Sequence, residues 1–338
     1  MGIKGLTKTI TKYSPGSITN ENLYKLSGKK VAVDASLILY QQLLKSPGGK
    51  VFKNSKGKIT SHITGVFYKI MNYISLNIEM IFIFDGKPPD NKQDCINQRK
   101  EKSKKAKEAS LTTTSEEEKQ KLEKSSLRLT CEMIDEIKRL LELMGISYIH
   151  PNVGEGEAYA SELCRMGYVD YVLTEDMDTM AYGCPKLVRN CIDKSLKRKD
   201  IVSIFDYNKL MNDIEFTHEQ FLDFCILCGC DYCPIVPKVG NVTAMKLIKT
   251  HGSIEKIIEN TKTKYDYPYD YITMFNDAKK NFKIFIDNIK EEEIDIKKSV
   301  RNIEGLSSFL IEEVEMNEKR VQNSLKKFHN NYNGSESK

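Results

Sequence analysis

The sequence predicts an α/β fold with a mostly parallel central sheet flanked by helices, and with helices dominating after about residue 210. Two observations predict it. Short runs at 31–33 and 80–84 are apolar at successive positions, which is typical of strands covered on both faces. Segments with helical period and capping residues follow these runs. The 338 residues are 40% hydrophobic, which is enough for a large core.

Acidic residues follow three of the four predicted strands. The strands are predicted at 31–33, 79–84, 146–149 and 171–173. The acids beyond them are Asp34, Asp85, Asp176 and Asp178. In open α/β sheets the carboxyl ends of the strands form the ligand crevice, so these side chains are expected at one site.

Three further acids are candidates for the same site. Glu155 and Glu157 precede a predicted helix, and residues two apart do not share a helix face. They converge only through an irregular turn, which the glycines at 154 and 156 permit. Asp231 follows a helix predicted at 221–228.

Seven carboxylates in one place repel one another and lose hydration. Divalent cations make such a group tolerable, and oxygen ligands favour Mg²⁺ or Mn²⁺ over zinc. Two such ions are the arrangement used for phosphodiester hydrolysis. The alternative is that each acid only caps a helix or occupies a turn.

The positive charge of the chain is concentrated in one segment. Residues 87–107 contain eight basic and three acidic residues, an excess of five that equals the net charge of the whole chain. Such a segment indicates an anionic partner, and the alternative is a solvated helix face. From 91 to 130 apolar residues are sparse, so this stretch is predicted to be helical or mobile and to stand away from the core.

Capping residues mark the helices of the second half. Gly145 is expected to end a helix that begins near Cys131. Thr217 and Gln220 predict a capping box before the helix at 221–228. A turn at 237–240 then leads to a helix predicted at 243–250.

Six blocks of sequence resemble successive motifs of the flap endonuclease family, to about residue 327. The blocks read MGIKGL, VAVDAS, IFIFDGKPP, GEGEA, TEDMDTMAYG and CGCDYC. The resemblance implies a structure-specific 5′ flap endonuclease, also a 5′→3′ exonuclease, which acts on branched DNA in replication and repair. It implies two Mg²⁺ ions, with Mn²⁺ able to substitute. The implied metal ligands are Asp34, Asp85, Glu155, Glu157, Asp176, Asp178 and Asp231.

The resemblance also assigns catalytic and DNA-binding residues. The implied catalytic residues are Lys92 and Arg99, at the base of a helical gateway, with Asp178. The implied DNA contacts are Gly2, Tyr40, Thr60, Lys92, Arg99, Lys238 and Gly240. Relatives have glycine where this chain has Lys238, so K⁺ binding at that turn, usual in the family, is in question.

The resemblance divides the chain into regions. They are a nuclease region at 1–106 with the gateway base, a helical arch or cap at 91–130, an internal nuclease region at 131–214, a helix–two-turn–helix region at 215–300, a C-terminal helical segment at 301–329 and a disordered tail at 330–338. We expect a monomer with no membrane segment, nuclear in a eukaryote, and cytoplasmic or in a viral factory for a large DNA virus.

Several alternatives stay open. The enzyme could be a 5′→3′ exonuclease or a junction resolvase of the same superfamily, or an inactive DNA-binding protein. Gln322, Leu325 and Phe328 match most of a sliding-clamp motif, but they also fit an amphipathic helix. Four cysteines spaced CxxCxCxxC from Cys225 to Cys233 suggest zinc, but their spacing favours reduced thiols.

Overall fold

The structure of the protein, a computed structural model, describes most of the chain. The described residues are 2–44, 51–89, 92–193, 195–196, 200–288 and 294–333, of which 94, 284–288 and 329–333 are described for the backbone alone. The strands are β1 (Ile18–Asn22), β2 (Lys30–Asp34), β3 (Glu79–Ile83), β4 (Ser147–Ile149), β5 (Tyr171–Leu173), β6 (Lys186–Asn190) and β7 (Ile201–Asp206).

The α-helices also follow the chain order. They are α1 (Leu6–Tyr13), α2 (Ala35–Leu44), α3 (Ser61–Ser75), α4 (Gln93–Thr112), α5 (Glu116–Ser126), α6 (Cys131–Met144), α7 (Gly156–Arg165), α8 (Asp178–Ala181), α9 (Tyr207–Ile214), α10 (His218–Cys228), α11 (Asn241–His251), α12 (Ile254–Thr261), α13 (Tyr271–Asn288), α14 (Ile303–Ser308) and α15 (Glu318–Asn333). Short 3₁₀ helices lie at Pro15–Ser17 and Leu23–Leu26, and a π-helical turn at Phe309–Glu313.

The chain folds into two compact units, each made of separate segments. The first unit comprises Met1–Lys25, Gly86–Cys95 and Asn152–Ile294. The second unit comprises Leu26–Asp85, Ile96–Pro151 and Asp295–Lys338.

The strands of the first unit pair in the order β1, β7, β6, β5. The β1–β7 and β7–β6 pairs are antiparallel, and β6 is parallel to β5. Helices α1 and α7–α13 belong to this unit. Its core joins Leu187 of β6 and Phe205 of β7 to buried side chains of those helices, such as Leu6 and Phe221. The capping box of Thr217 and Gln220 is present and confirms the predicted start of α10.

The second unit is built on parallel strands. Strand β3 is parallel to both β2 and β4, and the pairing places Asp34 opposite Ile83. Helices α2, α3, α6, α14 and α15 pack through the contacts α2–α3, α3–α6, α6–α14 and α15–α3. Gly145 ends α6 in the left-handed conformation, with φ of 68°, as predicted.

The predicted α/β class is confirmed. Within the two units, three strand pairs of the described residues are parallel and two are antiparallel. Sequence analysis does not predict β1, β6 or β7. Strand β1 reads ITNEN, and its exposed polar residues give no apolar run. Strand β3 ends at Ile83, so Asp85 lies two residues beyond the strand instead of directly after it.

The arch segment is helical. Helix α4 has 20 residues, and α5 begins at Glu116 after the N-cap residue Ser115, whose side chain accepts the Glu118 N–H. The side chains of α5 are exposed or half-buried throughout. This low burial agrees with the low apolar content of 91–130.

The C-terminal helix corrects two predictions. Leu325 and Phe328 of α15 are buried in the second unit, so the clamp motif they suggest is not accessible in the fold. The alternative, an amphipathic helix, is confirmed, and Gln322 instead donates to Ser307 Oγ at 3.1 Å. Helix α15 continues to Asn333, four residues into the predicted tail, and residues 334–338 lie outside the described residues. Among the described residues, no helix has both the length and the apolar character needed to cross a membrane.

Candidate active site

The turn before α7 brings two glutamates together. Glu155 is extended at the N-cap position, whereas Glu157 lies in the first helical turn. Gly154, with φ of 107°, has the irregular backbone conformation that the convergence of the two glutamates requires. Carboxylate oxygens of the two residues lie within 4.8 Å of each other. The predicted convergence of Glu155 and Glu157 is confirmed.

Two aspartates follow β5 and are buried. Asp176 accepts the Asp178 N–H on Oδ1 at 3.0 Å, and its own N–H donates to Thr174 Oγ1 at 3.1 Å. Both aspartates are 8% exposed. Burial raises the pKa of each carboxyl, and for Asp178 repulsion from Asp176 and Asp231 raises the pKa further. Among the described residues, Asp178 Oδ1 has no hydrogen-bond donor.

The N-terminal glycine lies against these carboxylates. Gly2 has φ of 82°, a conformation that glycine adopts at low cost. A Cβ atom there would lie 1.9 Å from Asp176 Oδ1 and 2.6 Å from Asp178 Oδ1. This close approach requires a residue without a side chain, and it places backbone beside the acids, as predicted for Gly2.

Lys92 supplies a positive charge to the acids of the first unit. Its Nζ lies 2.5 Å from Glu155 Oε2 and 3.7 Å from Asp231 Oδ2. Burial by itself lowers the pKa of Lys92, but attraction to Glu155 outweighs it, so the pKa is raised. Lys92 is therefore charged at any physiological pH. The Cys95 thiol approaches Asp231 Oδ1 at 3.5 Å.

The acids of the second unit follow two adjacent parallel strands. Asp34 is the last residue of β2, is buried, and accepts the Leu37 N–H on Oδ1 at 2.9 Å. Asp85 immediately precedes Gly86, whose N–H donates to the Gly154 carbonyl at 2.8 Å.

The other predicted contacts are spread over several elements. Tyr40 is half-buried on α2, and Arg99 is exposed on α4. Thr60 is the N-cap of α3 and is buried, which leaves little of its side chain for a DNA contact. Gly240 is exposed and is the N-cap of α11.

Lys238 occupies a strained position in its turn. Its φ is 66°, in the left-handed region that costs a residue with a side chain about 1–2 kcal/mol. The side chain is exposed, and the next residue, Val239, is buried and donates its N–H to the Val236 carbonyl at 3.1 Å. The turn thus accommodates lysine, with its side chain exposed.

The cysteine set does not form a metal centre. Cys225, Cys228 and Cys233 are buried, and burial raises the pKa of Cys233 to about 11 and that of Cys230 to about 12. In the part of the chain that the structure describes, these thiols are not brought within ligand distance of one another in a group of three. The preference for reduced thiols over zinc stays a prediction for these residues.

The residues present fit divalent cations. The donors are carboxylate oxygens, which hard cations prefer. The raised pKa values of Asp176 and Asp178, together with the unsatisfied Asp178 Oδ1, show that burial disfavours the charge of these two carboxyls in the protein alone, and a bound cation would stabilise that charge. Sequence analysis does not single out Thr174 or Tyr232, which contact this group. Their positions next to predicted acids, in TEDMD and CDY, are the signal that could have indicated them.

Comparison with known proteins agrees with this site. The XPG N-terminal domain matches residues 1–106, and the XPG I-region matches residues 145–231. Flap endonuclease 1 of Glycine max is 37% identical over 97% of this chain and 86% of that protein. The Scheffersomyces stipitis protein of that name is 38% identical over 97% and 87%. The flap endonuclease-1 structure from Methanococcus jannaschii superposes with a TM-score of 0.69 at 28% identity, over 94% of this chain and 97% of that one. The chain belongs to the flap endonuclease family.

Proposed function

We propose that this chain is a structure-specific nuclease that removes 5′ single-stranded flaps from branched DNA in replication and repair. The observation that carries the proposal is the buried pair of Asp176 and Asp178, whose carboxyl pKa values are raised by burial, with Asp178 Oδ1 lacking a hydrogen-bond donor among the described residues. Such a group is costly to the fold, and hydrolysis of a phosphodiester is the chemistry that uses it. Membership of the flap endonuclease family supports the same substrate class.

Seven carboxylates are proposed to hold two Mg²⁺ ions, with Mn²⁺ able to substitute. They are Asp34, Asp85, Glu155, Glu157, Asp176, Asp178 and Asp231. When bound, divalent ions supply Lewis-acid polarisation and stabilise the negative charge that develops during phosphodiester hydrolysis. Gly2 lets the N-terminal backbone lie beside these acids, where a side chain would exclude it.

Two cations of the chain are proposed to act on the scissile phosphate. Lys92 is held at the acid group by Glu155 and Asp231, so a permanent positive charge is already in place. Arg99 is exposed on α4 and is proposed to contact the incoming strand. Fixed positive charge at the point where negative charge develops lowers the barrier to reaction without reorganisation.

The remaining predicted contacts are proposed to hold the DNA. Tyr40 stacks on a base near the cut. The burial of Thr60 argues against the predicted contact of its side chain with the template strand. At the turn before α11, Gly240 offers backbone to the duplex phosphates. The exposed ammonium of Lys238 contacts a phosphate itself. The positive charge of Lys238 reduces the need for a K⁺ ion at the same turn. We therefore propose Lys238 ahead of K⁺ as the cation that contacts the phosphate there.

Substrate choice tests the proposal. The protein is incubated with Mg²⁺ and a 5′ flap, a blunt duplex or a four-way junction of matched sequence. We expect the flap to be cut fastest, with products carrying 5′-phosphate and 3′-hydroxyl, and slower 5′→3′ removal of nucleotides from the duplex. Equal or faster cutting of the junction would favour a resolvase, and binding without cutting would favour an inactive DNA-binding protein.

The place of action follows from the proposed substrate. In a eukaryotic cell the enzyme is proposed to act in the nucleus as a monomer, where replication produces 5′ flaps. Cell imaging of a tagged chain, compared with a nuclear marker, tests this location.

A further inference from the structure

Tyr232 lies between Lys92 and the core of the first unit. The Lys92 Nζ is 5.8 Å from the centroid of the Tyr232 ring. Tyr232 is 7% exposed and directly follows Asp231. An ammonium over an aromatic face is attracted by the ring quadrupole, and the attraction strengthens when the pair is shielded from water.

The ring of Tyr232 is fixed by other aromatic residues. Its centroid lies 5.2 Å from that of Phe282 on α13, with an interplanar angle of 84°, a favourable edge-to-face arrangement. Its hydroxyl oxygen lies 3.3 Å from that of Tyr182, the C-cap residue of α8. Tyr182 and Phe282 are fully buried. The ring is therefore a rigid surface, anchored to the helix that begins with Asp178.

The other partners of Lys92 are two acids that are also proposed to bind the metal ions. Glu155 and Asp231 approach its Nζ at 2.5 and 3.7 Å, and both are proposed metal ligands. Divalent ions compete with an ammonium for carboxylate oxygens. The face of Tyr232 is not an oxygen ligand, so its contact with Lys92 is not subject to that competition.

We propose that Tyr232 is a positioning residue for Lys92, which keeps the ammonium at the acid group while the carboxylates hold divalent ions. The inference rests on the proposed nuclease function. The aromatic face carries this role, and the hydroxyl serves to anchor the ring to Tyr182.

A double-mutant cycle tests whether Tyr232 acts through Lys92. Tyr232→Leu and Tyr232→Phe are made alone and together with Lys92→Met, and single-turnover cleavage of a 5′ flap is measured at saturating protein. We expect Tyr232→Leu to slow cleavage about tenfold, with the affinity for DNA changed less than about twofold. Tyr232→Phe stays within about twofold of the parent. In the Lys92→Met background, Tyr232→Leu has an effect below about twofold. A tenfold loss in both backgrounds would overturn the proposal.

Lysine NMR gives a readout that does not need cleavage. In protein labelled with ¹³C-lysine, the ε-methylene protons of Lys92 are expected upfield of those of exposed Lys238, because of the Tyr232 ring current. The displacement should persist after Mg²⁺ is added and in Tyr232→Phe, and disappear in Tyr232→Leu. Loss of the displacement on adding Mg²⁺ to the parent would overturn the proposal. Failure of the parent to cut a flap would instead contradict the proposed function, and the NMR result would still be interpretable.

Discussion

Two sets of acids in this protein have opposite electrostatic surroundings. In the first unit, burial raises the pKa of Asp176 and Asp178, and no described residue donates a hydrogen bond to Asp178 Oδ1. In the second unit, burial by itself raises the pKa of Glu136, but hydrogen bonds with His62 and Lys58 outweigh it, so the pKa is lowered. His62 Nε2 lies 2.8 Å from one Glu136 oxygen, and Lys58 Nζ lies 2.5 Å from the other.

The difference distinguishes acids that stabilise the fold through ion pairs from acids that are proposed to bind a cation. Glu136 joins α6 to α3 and to the segment before α3, with Lys58 as its counter-ion and His62 as its hydrogen-bond partner. Asp206, the N-cap of α9, likewise pairs with Lys186 and has a lowered pKa despite partial burial. For Asp176 and Asp178, burial outweighs the attraction of Lys92, so their pKa values stay raised. Their arrangement stabilises a bound cation at the expense of the empty protein.

The largest expected effect is the loss of cleavage in Asp178→Asn. The substitution keeps the shape of the side chain and removes a charge that would hold a cation, so we expect cleavage of a 5′ flap to fall about 10³-fold. DNA binding should remain within a few-fold of the parent. Single-turnover cleavage and a binding titration on the same flap measure the two effects.

The melting temperature of the metal-free Asp178→Asn variant tests the same contrast between the two sets of acids. Asp178→Asn removes a buried carboxylate with a raised pKa, so the metal-free protein is expected to melt at a higher temperature at pH 7. Thermal unfolding in chelator measures this difference. A lower melting temperature would place Asp178 with the acids that hold the fold.

The second effect concerns the close approach of Gly2 to the acids. Gly2→Ala places a Cβ 1.9 Å from Asp176 Oδ1, so the N-terminal segment or the acid must move. We expect cleavage to fall about 100-fold, because small displacements at a reacting centre are costly. Gly28→Ala is the matched control, since φ is 72° there but a Cβ would meet nothing within 4 Å. Equal losses in both variants would assign the effect to backbone strain.

The third effect is on the free energy of unfolding and concerns Glu136, whose charge is paired within the fold. Glu136→Gln removes the charge that pairs with Lys58 and His62, and we expect a loss of about 1–3 kcal/mol in the free energy of unfolding. Glu132→Gln is the control, because Glu132 binds the same Lys58 but is largely exposed, and its loss should stay below about 1 kcal/mol. Urea unfolding at pH 7 measures both. Similar losses would show that burial of Glu136 is not what matters.

The pH dependence of this stabilisation has a defined sign. The pKa of Glu136 is lower in the folded protein than its usual value of 4.5. Its contribution is therefore fully present above pH 4.5 and is lost as the pH falls through the lowered pKa. Unfolding free energies from pH 7 down to pH 3 should fall less steeply in Glu136→Gln than in the parent. Identical slopes would contradict the lowered pKa.

The smallest expected effect concerns the exposed cations of α4. Replacing Lys100, Lys104 and Lys107 by Gln should reduce the slope of log affinity against log salt by up to about 3, if each lysine contacts a phosphate. The rate at saturating substrate should change less than about twofold, because these side chains are exposed and stand outside the acid group. The corresponding Lys→Arg variant keeps the charge and should keep the slope. An unchanged slope in the Gln variant would show that α4 is a solvated face.

Sequence analysis predicts those parts of the site that local pattern determines. An apolar run followed by an acid locates Asp34, Asp176 and Asp178 at the ends of strands, and two glycines indicate the turn at Glu155. Local pattern does not determine contacts between distant segments. The pairing of Lys92 with Glu155 and the ring of Tyr232 beneath Lys92 depend on folding that joins residues far apart in the chain.

The sequence predicts the fold to about the same extent as it predicts the site. Strands with continuous apolar runs, such as β2 and β5, are found where they are expected. The polar edge strand β1 and the antiparallel pair β6–β7 are missed, because their pairing partners, not their own patterns, make them strands. The pattern in α15 fits both a clamp motif and an amphipathic helix, and the burial of Leu325 and Phe328 in the core favours the helix.

The most direct test of the central claim is a titration of Mn²⁺ into the parent protein and into Asp178→Asn, followed by electron paramagnetic resonance of free Mn²⁺. If the acids around Asp178 are left for divalent cations, the parent binds two ions and the variant binds fewer or binds them more weakly. Gly28→Ala serves as a control that should bind as the parent does. Equal binding by the parent and Asp178→Asn would contradict the account.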